Sequence, residues 1–452
     1  MTIILTVAIG LISILMFRFA SGTLEFGKLN IVSFSFYLIL LQVYAGCFLV
    51  TCGFNKHYTL SYLVDKGSIE VTNSFIWVLM LLLPLTMLAM YRIFKFDPKK
   101  EYNSYLNKEI AEKDDRVIFW LLVLVVICQL CCLLFLVIKI GYVPFTKLFH
   151  HEIDFNFGLE RSRIQKIYIL KSSQLTNLIV KFGIPLVSYI TAAYAAVNRK
   201  FSWILLAGVT FLMGITVKTM DFSKSPLAFY FLVFVFILIY ARKGGIKRRY
   251  IIIFGCLMFA LLMFYYRVEG YSGKFTDIYN GILGRTLFTQ YGTLIYHFDM
   301  FPDTFDFLGG RSLYPTILKI IGMDPTLHLR SAKLVMAFYG IEKVYDGTAG
   351  VMNTVFLGEA YANWGPIGAY LSIIWVGIYV AAFFMIFCRI KKTPVSIALF
   401  AFFTFTIGSM MQSGFVDFIY SSSMIITIFI GVVLLYYREI LNKISGIVKK
   451  KK

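Results

Sequence analysis

A glycine-rich polar stretch carries side chains that are well suited to chemistry on a sugar. From Asp346 to Gly368 the chain reads DGTAGVMNTVFLGEAYANWGPIG and leads directly into an apolar run. Glu359 stands at the edge of that run. A carboxylate at the membrane boundary has a function more often than a carboxylate on a water-exposed surface. Tyr361 and Asn363 offer a ring face and hydrogen bonds. We predict that Glu359 is catalytic or contacts substrate; the alternative is that it pairs with an arginine to hold the loop.

A second group of candidates is basic. In the sequence LERSRIQKIYILK, Arg161 and Arg163 are two residues apart and Lys166 follows. A guanidinium can bind two phosphate oxygens at once and stays protonated, so it is suited to a pyrophosphate. The alternative is a basic patch that lies against lipid headgroups.

Two further candidates lie between residues 284 and 297. Arg285 is flanked by Gly284 and Thr286 and could reach a phosphate or a sugar hydroxyl. A helix-start residue paired with Asp277 or Asp299 is an equally good interpretation. His297 could act as a general base near neutral pH, whereas a lone histidine among aromatic residues more often only forms structural hydrogen bonds.

Lys224 and Asp417 stand next to short turns between apolar runs. Lys224 opens an apolar run in the sequence DFSKSP, at the depth of a lipid phosphate, and Asp417 lies in QSGFVDFIY. Either residue could contact substrate or could simply place its charge at the membrane surface. The pair Glu152 and Asp154 has the spacing of some divalent-metal sites, but it has no further acidic partner in the sequence, so we expect no metal and no cofactor.

The elements that position these side chains are membrane helices. Of the 452 residues, 59% are hydrophobic and only 15% are charged, and the mean hydropathy is +0.76. A soluble domain contains about 25% charged residues. We therefore expect an all-α, polytopic transmembrane helix bundle that forms one integral membrane domain over 1–452. The net charge of +20 then indicates anionic lipid as a partner and no nucleic acid.

About eleven runs are long enough to cross a bilayer, which takes roughly 20 apolar residues each. They lie near 2–17, 31–51, 73–91, 117–139, 175–197, 202–217, 225–241, 250–266, 366–388, 394–411 and 421–437.

The lysines and arginines orient this layout. More than half of the 44 basic residues fall in alternate intervals, which the positive-inside rule assigns to the cytoplasm. The N-terminus is then outside and the C-terminus cytoplasmic. Two large outer loops, 140–174 and 267–365, remain basic against this bias, which suggests an anionic ligand. Helical spacing of apolar residues near 313–322 and 329–340 predicts short amphipathic helices in the second loop.

The stretch from Asn353 to Gly368 resembles a known family. Its Gly-Glu-x-Tyr-x-Asn-Trp-Gly-x-x-Gly pattern before a late helix looks like that of Wzy-type polymerases of bacterial surface polysaccharides, as do the span number and the two outer loops. The resemblance implies a metal-independent glycosyltransferase of GT-C type in the bacterial inner membrane. It also implies that Arg161 and Arg163 in the first loop, and Arg285 and Arg330 in the second, contact substrate.

The same resemblance implies the reaction and its partners. Such an enzyme joins oligosaccharide repeat units carried on undecaprenyl pyrophosphate, which serves as donor and acceptor, at the outer face of the membrane. A chain-length regulator is a possible partner. The base would be Glu359 or His297. Two alternatives stay open: an O-antigen ligase, and a transporter or flippase of the lipid-linked unit.

Overall fold

The computed structural model describes residues 2–147, 157–171, 174–220, 222, 224–268, 277–347 and 349–450. Helices make up 78% of the structure, and these ranges contain no strand. The predicted all-α fold is therefore confirmed.

Each of the eleven predicted intervals contains a helix. In the described ranges, eight helices are long and apolar enough to cross a membrane: Thr2–Lys28, Ile31–Thr51, Ser68–Ile93, Arg116–Ile140, Leu178–Asn198, Phe201–Thr219, Phe356–Arg389 and Val416–Tyr437. The apolar helices Ser225–Ala241 and Pro394–Met410 are shorter. The helix Arg248–Val268 occupies the remaining interval. The chain thus has the make-up of a multi-pass membrane protein.

Shorter helical segments connect the long helices. Before the second loop they are Tyr58–Ser61, Pro98–Asn107, Pro144–Lys147, Phe157–Lys171 and Gln174–Asn177. The short helices Phe26–Lys28 and Val416–Ile419 lie inside the stretches Thr2–Lys28 and Val416–Tyr437, at the end of the first and at the start of the second. The last helix extends over Ser422–Lys450.

The helix Pro394–Met410 is among the most buried of the bundle. It begins with a reciprocal cap, in which the N–H of Ser396 donates to the hydroxyl of Thr393 and the N–H of Thr393 donates to the hydroxyl of Ser396. Such a cap satisfies two N–H groups that the first turn leaves unpaired. Most of its side chains are buried, as expected for a helix that is apolar all round. Its neighbours are Ile31–Ile39, Ile184–Asn198 and Lys224–Ala241.

The second loop folds as consecutive helices. They are Gly281–Gly284, Arg285–Thr289, Gln290–Met300, Pro315–Ile320, Pro325–Leu327, Ser331–Tyr339 and Ile341–Tyr345. Pro315–Ile320 and Ser331–Tyr339 occupy the two positions where the sequence predicts amphipathic helices. The helix Gln290–Met300 is not among the predictions, and every residue from Tyr291 to Met300 is buried.

A buried carboxylate fastens this loop to the membrane helices. Asp299 accepts hydrogen bonds from the N–H groups of Val64 and Asp65, both at 2.8 Å. The hydroxyls of Ser68 and Tyr339 donate to it at 2.8 and 2.6 Å. With four donors the carboxylate is fully satisfied, so Asp299 has a structural role and is not paired with Arg285.

The helix Phe356–Arg389 is broken near its start. Trp364 and Gly365 have non-helical backbone angles, and Gly365 lies at φ 64° and ψ −156°, a region that glycine alone adopts readily. Pro366 follows, and its ring excludes a regular helical bond to the carbonyl of Ala362. That carbonyl instead accepts the N–H of Leu308 at 2.9 Å. The break therefore connects the second loop to this helix.

Candidate functional site

The site centres on an ion pair on the N-terminal side of the break. Arg330 Nε donates to Glu359 Oε1 at 2.6 Å, and Arg330 Nη2 donates to Glu359 Oε2 at 3.3 Å. The two side chains are only 17% and 4% exposed. A bidentate pair of this kind fixes the orientation of the guanidinium. The structure thus brings together two residues that the sequence predicts for the site.

Local structure fixes both partners. Glu359 lies in the first turn of the helix Phe356–Arg389, where helix N–H groups favour negative charge. Arg330 directly precedes the helix Ser331–Tyr339 in an extended conformation. The preceding N–H, of Leu329, donates to the carbonyl of Arg311 at 2.9 Å. The arginine is therefore held from its backbone as well as from its side chain.

A second carboxylate completes the cluster. Asp417 Oδ1 lies 3.4 Å from Arg330 Nη1 and accepts the hydroxyl of Tyr314 at 2.9 Å. Its side chain is 16% exposed, compared with 4% for Glu359. The N–H of Val416 donates to Glu359 Oε2 at 3.0 Å. Asp417 is therefore the more accessible carboxylate of the two.

The electrostatics follow from this packing. Burial by itself lowers the pKa of Arg330, but the charges of Glu359 and Asp417 raise it by a larger amount. The net change is therefore upward, and the guanidinium stays charged. Burial, and then the charge of Asp417, raise the pKa of Tyr314 to about 12. At neutral pH the tyrosine therefore keeps its proton and donates a hydrogen bond to Asp417.

The turn before Val416 packs directly on the ion pair. Gly414 has φ 151°, and a Cβ added there would lie 2.3 Å from Glu359 Oε2 and 2.6 Å from Arg330 Nη2. Any larger residue would push into the pair. Only glycine lets the backbone approach this closely.

His297 lies buried beside the same segment. Its Nδ1 lies 2.7 Å from the carbonyl of Thr293, and its Nε2 lies 3.2 Å from the hydroxyl of Ser331. The carbonyl can only accept, so Nδ1 carries the proton and Nε2 accepts from Ser331. Burial lowers the pKa of His297 to about 4, against a weaker opposing effect of the Thr293 carbonyl. These contacts favour a positioning role next to Arg330, and the catalytic role stays a prediction.

Asn363 and Tyr361 lie in the same turn of helix as Glu359. Asn363 donates to the carbonyl of Glu359 at 2.8 Å and accepts the N–H of Ser312 at 3.2 Å. It therefore joins the second loop to the start of the broken helix. Tyr361 stacks on Phe298 with the ring centroids 4.1 Å apart. Both residues shape the site from within, and their contact with substrate stays a prediction.

Arg163 of the first loop belongs to a separate cluster. Arg163 Nη2 pairs with Glu160 Oε1 at 2.6 Å, and the hydroxyl of Tyr142 donates to the same oxygen at 2.6 Å. The guanidinium also donates to the carbonyl of Ile140 at 3.1 Å. The carboxylate of Glu160 raises the pKa of Arg163. The charge of Arg163 is thus partly compensated within the chain.

The other basic candidates differ in their surroundings. Arg161 Nη2 lies 3.4 Å from the carbonyl of Phe222, whereas Lys166 and Arg285 are exposed. Lys224 begins the helix Lys224–Ala241, and its side chain lies outside what the structure describes. Binding of substrate phosphate by these four residues stays a prediction.

The metal spacing of Glu152 and Asp154 also lies outside the described residues. Within the described part of the chain, no group of three His, Cys, Asp or Glu residues could hold a metal ion.

One contributor to the site, Tyr314, is missing from the sequence prediction, and for Asp417 the contact with Arg330 is missing. No pattern in the sequence marks Tyr314 as a site residue, because it lies in a loop just before the helix Pro315–Ile320. Asp417 is visible as a carboxylate in a turn between apolar runs, but the sequence alone does not show that Arg330 lies beside it. A search for opposite charges in the three polar segments would find this combination, although it would not select it from the others.

The comparisons with known proteins identify no relative. No protein-family model, curated protein or solved structure matches the chain.

Proposed function

We propose that the protein is a membrane glycosyltransferase that joins lipid-linked oligosaccharide repeat units into a bacterial surface polysaccharide. The observation that carries the proposal is the cluster of Arg330 with Glu359 and Asp417. Three separate segments bring these charges together, and the structure keeps them largely out of water. A buried group of this kind at a membrane boundary favours chemistry over solvation.

The position of the break supports a site at the membrane surface. From Pro366 to Arg389 the helix is about 36 Å long at ~1.5 Å per residue, which suffices to cross ~30 Å of hydrocarbon. Glu359 precedes this stretch. The cluster then lies at the end of the membrane span and can receive a substrate whose lipid stays in the bilayer while its glycan extends into water.

The formal charges suggest which half of the reaction occurs here. One guanidinium faces two carboxylates, so the cluster is formally anionic and would repel a pyrophosphate. It suits an acceptor sugar, whose hydroxyls donate to carboxylates. The pyrophosphate of the donor would be bound by the basic candidates Arg161, Arg163, Lys166, Lys224 and Arg285.

In this reaction an acceptor hydroxyl oxygen forms a bond to the anomeric carbon of the donor glycan. The bond from that carbon to the pyrophosphate oxygen breaks, and lipid pyrophosphate leaves with the electron pair. A carboxylate takes the hydroxyl proton. We propose Asp417 for this step because it is more exposed than Glu359, and we propose that Glu359 orients Arg330. Fixed guanidiniums would stabilise the departing charge.

Two alternatives use overlapping features. A ligase that transfers finished glycan to another lipid would need the same acceptor chemistry, and its products would distinguish it. A transporter or flippase would place its charged residues and helix breaks near the middle of the membrane. In the described residues the break of the helix Phe356–Arg389 lies near its start and not near the middle of the span, so we favour transfer.

The test is complementation of a strain that lacks the protein. Asp417→Asn and Glu359→Gln keep the shape of each side chain, and Glu101→Gln is the matched control because Glu101 pairs with Arg389 outside the site. We expect long-chain polysaccharide to fall about 100-fold or more for Asp417→Asn, by the usual effect of losing a general base. Gel banding of the surface polysaccharide measures it.

Normal banding in both site variants would contradict the assignment of the site. Single lipid-linked units that accumulate on the outer face in the deletion strain would support transfer over flipping. Units retained on the inner face would contradict it.

A further inference from the structure

A basic cavity lies near the far end of the broken helix, on the side that the charge pattern assigns to the cytoplasm. Its volume is about 400 Å³, and its wall is formed by the ends of the helices Ile184–Asn198 and Lys224–Ala241 and by the segment around Lys113. A smaller cavity of about 160 Å³ shares Lys113 and Ala241 with it. The two cavities therefore adjoin, and together they are called the recess.

The recess is strongly cationic. One acidic residue, Glu109, lines it. Within the described residues, none of its six basic side chains forms an ion pair. They are Lys108, Lys113, Arg199, Arg242, Lys243 and Lys392.

The acidic residues next to Lys113 are engaged elsewhere. Glu112 pairs with Lys391 at 2.6 Å, and Asp114 pairs with Lys200. Asp115 accepts N–H bonds at the start of the helix Arg116–Ile140. The chain thus neutralises neighbouring basic residues, whereas those in the recess form no ion pair among the described residues.

Lys392 is the one buried residue among these six. It is 1% exposed, and its Nζ donates to the carbonyls of Tyr105 and Leu106 at 3.0 and 3.1 Å. Burial, and then the charges of Lys108 and Lys243, lower its pKa to about 8. An anion in the recess would relieve this repulsion.

The wall of the recess is apolar beside the charges. Its non-basic lining includes Ala195, Ala196, Val197, Leu238 and Ala241. A ligand that matches this surface has an anionic head and an apolar body. Free phosphate matches only the first half.

We propose that the recess is a binding site for an anionic phospholipid, with the headgroup phosphate among the lysines and arginines and the glycerol and upper acyl chains against the alanine and leucine wall. Basic pockets between membrane helices on the cytoplasmic side are suited to such headgroups. The site is separate from the Arg330 cluster and does not depend on the proposed reaction.

The experiment uses the full-length protein purified in neutral detergent. Phosphatidylglycerol, phosphatidylcholine and inorganic phosphate are titrated separately, and the midpoint of thermal unfolding is measured. We expect phosphatidylglycerol alone to raise the midpoint. Lys113→Gln with Arg242→Gln should weaken its apparent affinity about 30-fold. The control, Lys99→Gln with Lys100→Gln, removes two exposed charges outside the recess and should bind normally.

A second variant tests the cavity without changing its charge. Ala196→Trp fills the apolar wall, so we expect it to lose most of the response to phosphatidylglycerol. If it binds like the unmodified protein, the site is wrong, and the same holds if Lys113→Gln with Arg242→Gln binds normally. An equal rise with inorganic phosphate would overturn the assignment to a lipid. Should the double variant fail to fold, Ala196→Trp decides.

Discussion

The guanidinium of Arg330 is held on both sides by carboxylates, and each contact limits what the three side chains can do. Both oxygens of Glu359 accept from Arg330, and one of them also accepts the N–H of Val416. Little of this carboxylate remains for a substrate. Asp417 shares only one oxygen with Arg330 and Tyr314. Its second oxygen is the better candidate to take a proton.

The buried pair can be tested by its energetics. Arg330→Met leaves Glu359 buried without its cation, and we expect the free energy of unfolding to fall by about 3–5 kcal/mol. Adding Glu359→Met should restore most of the loss, because two apolar side chains can fill the space without an unpaired charge. Denaturant unfolding of the purified protein measures both variants.

The exposed pair of Arg389 and Glu101 is the control. Arg389 is 46% exposed, so Arg389→Met should cost less than about 1 kcal/mol. If the double variant at Arg330 and Glu359 is no more stable than Arg330→Met alone, the two side chains are not energetically coupled.

His297 predicts a dependence of stability on pH. Its pKa falls from 6.5 to about 4 on folding, so below 6.5 the unfolded chain binds the proton and the folded chain does not. Stability is full above pH 6.5 and declines as the pH falls towards 4, by roughly 3 kcal/mol from this residue.

His297→Gln should make the unfolding free energy less dependent on pH in that window. Some dependence will persist, because burial also lowers the pKa of His57. Unfolding curves between pH 7 and pH 4 measure the difference. An unchanged slope in the variant would show that folding does not lower the pKa of His297.

At the level of single residues, the sequence indicates which residues stand out as candidates better than it indicates which contacts they form. Glu359 and Asn363 stand out because a polar group at the edge of an apolar run costs free energy of desolvation. Arg330 follows from the family resemblance. The pairing of Arg330 with Glu359 spans 29 residues, and that with Asp417 spans 87. Such contacts depend on how the second loop folds, which local patterns do not encode.

The break in the helix Phe356–Arg389 is the element that positions Glu359. Gly365 adopts backbone angles that an L side chain rarely takes, and a Cβ there would lie 3.1 Å from the ring of Phe307. We expect Gly365→Ala to lower the unfolding free energy by about 1–3 kcal/mol. Thermal unfolding measures the change.

The matched control is Gly208→Ala. Gly208 lies inside the helix Phe201–Thr219, and a Cβ added there would meet nothing within 4 Å. Alanine there should stabilise the helix by about 1 kcal/mol. If Gly365→Ala is as stable as the unmodified protein, the break does not require glycine.

Element prediction succeeded where one physical rule dominates. The membrane helices follow from length and hydropathy, because the hydrocarbon core demands long apolar runs. The helix Gln290–Met300 escaped prediction, since its sequence QYGTLIYHFDM mixes polar and apolar residues. Its polar groups are satisfied by contacts made elsewhere in the fold, such as those of Asp299 with Val64 and Asp65. No local sequence pattern predicts such distant hydrogen-bond partners.

On the scale of the whole molecule, the two ends of the broken helix carry opposite local charge. Its first turn lies in the formally anionic cluster of Glu359, Arg330 and Asp417. Beyond its last turn, Lys392 lines the cationic recess. The charge pattern of the sequence predicts the basic end, whereas the acidic cluster becomes visible only in the folded chain. This asymmetry suits a protein that receives a glycan on one side and contacts anionic lipid on the other.

The most direct measurement of the central claim uses purified protein in lipid vesicles with lipid-linked repeat units. Products are separated by size, and released lipid pyrophosphate is quantified. We predict a ladder of longer glycans with one lipid pyrophosphate released for each bond, and loss of both for Asp417→Asn but not for Glu101→Gln. Movement of intact units across the vesicle membrane, with no longer glycan and no lipid pyrophosphate released, would contradict the account.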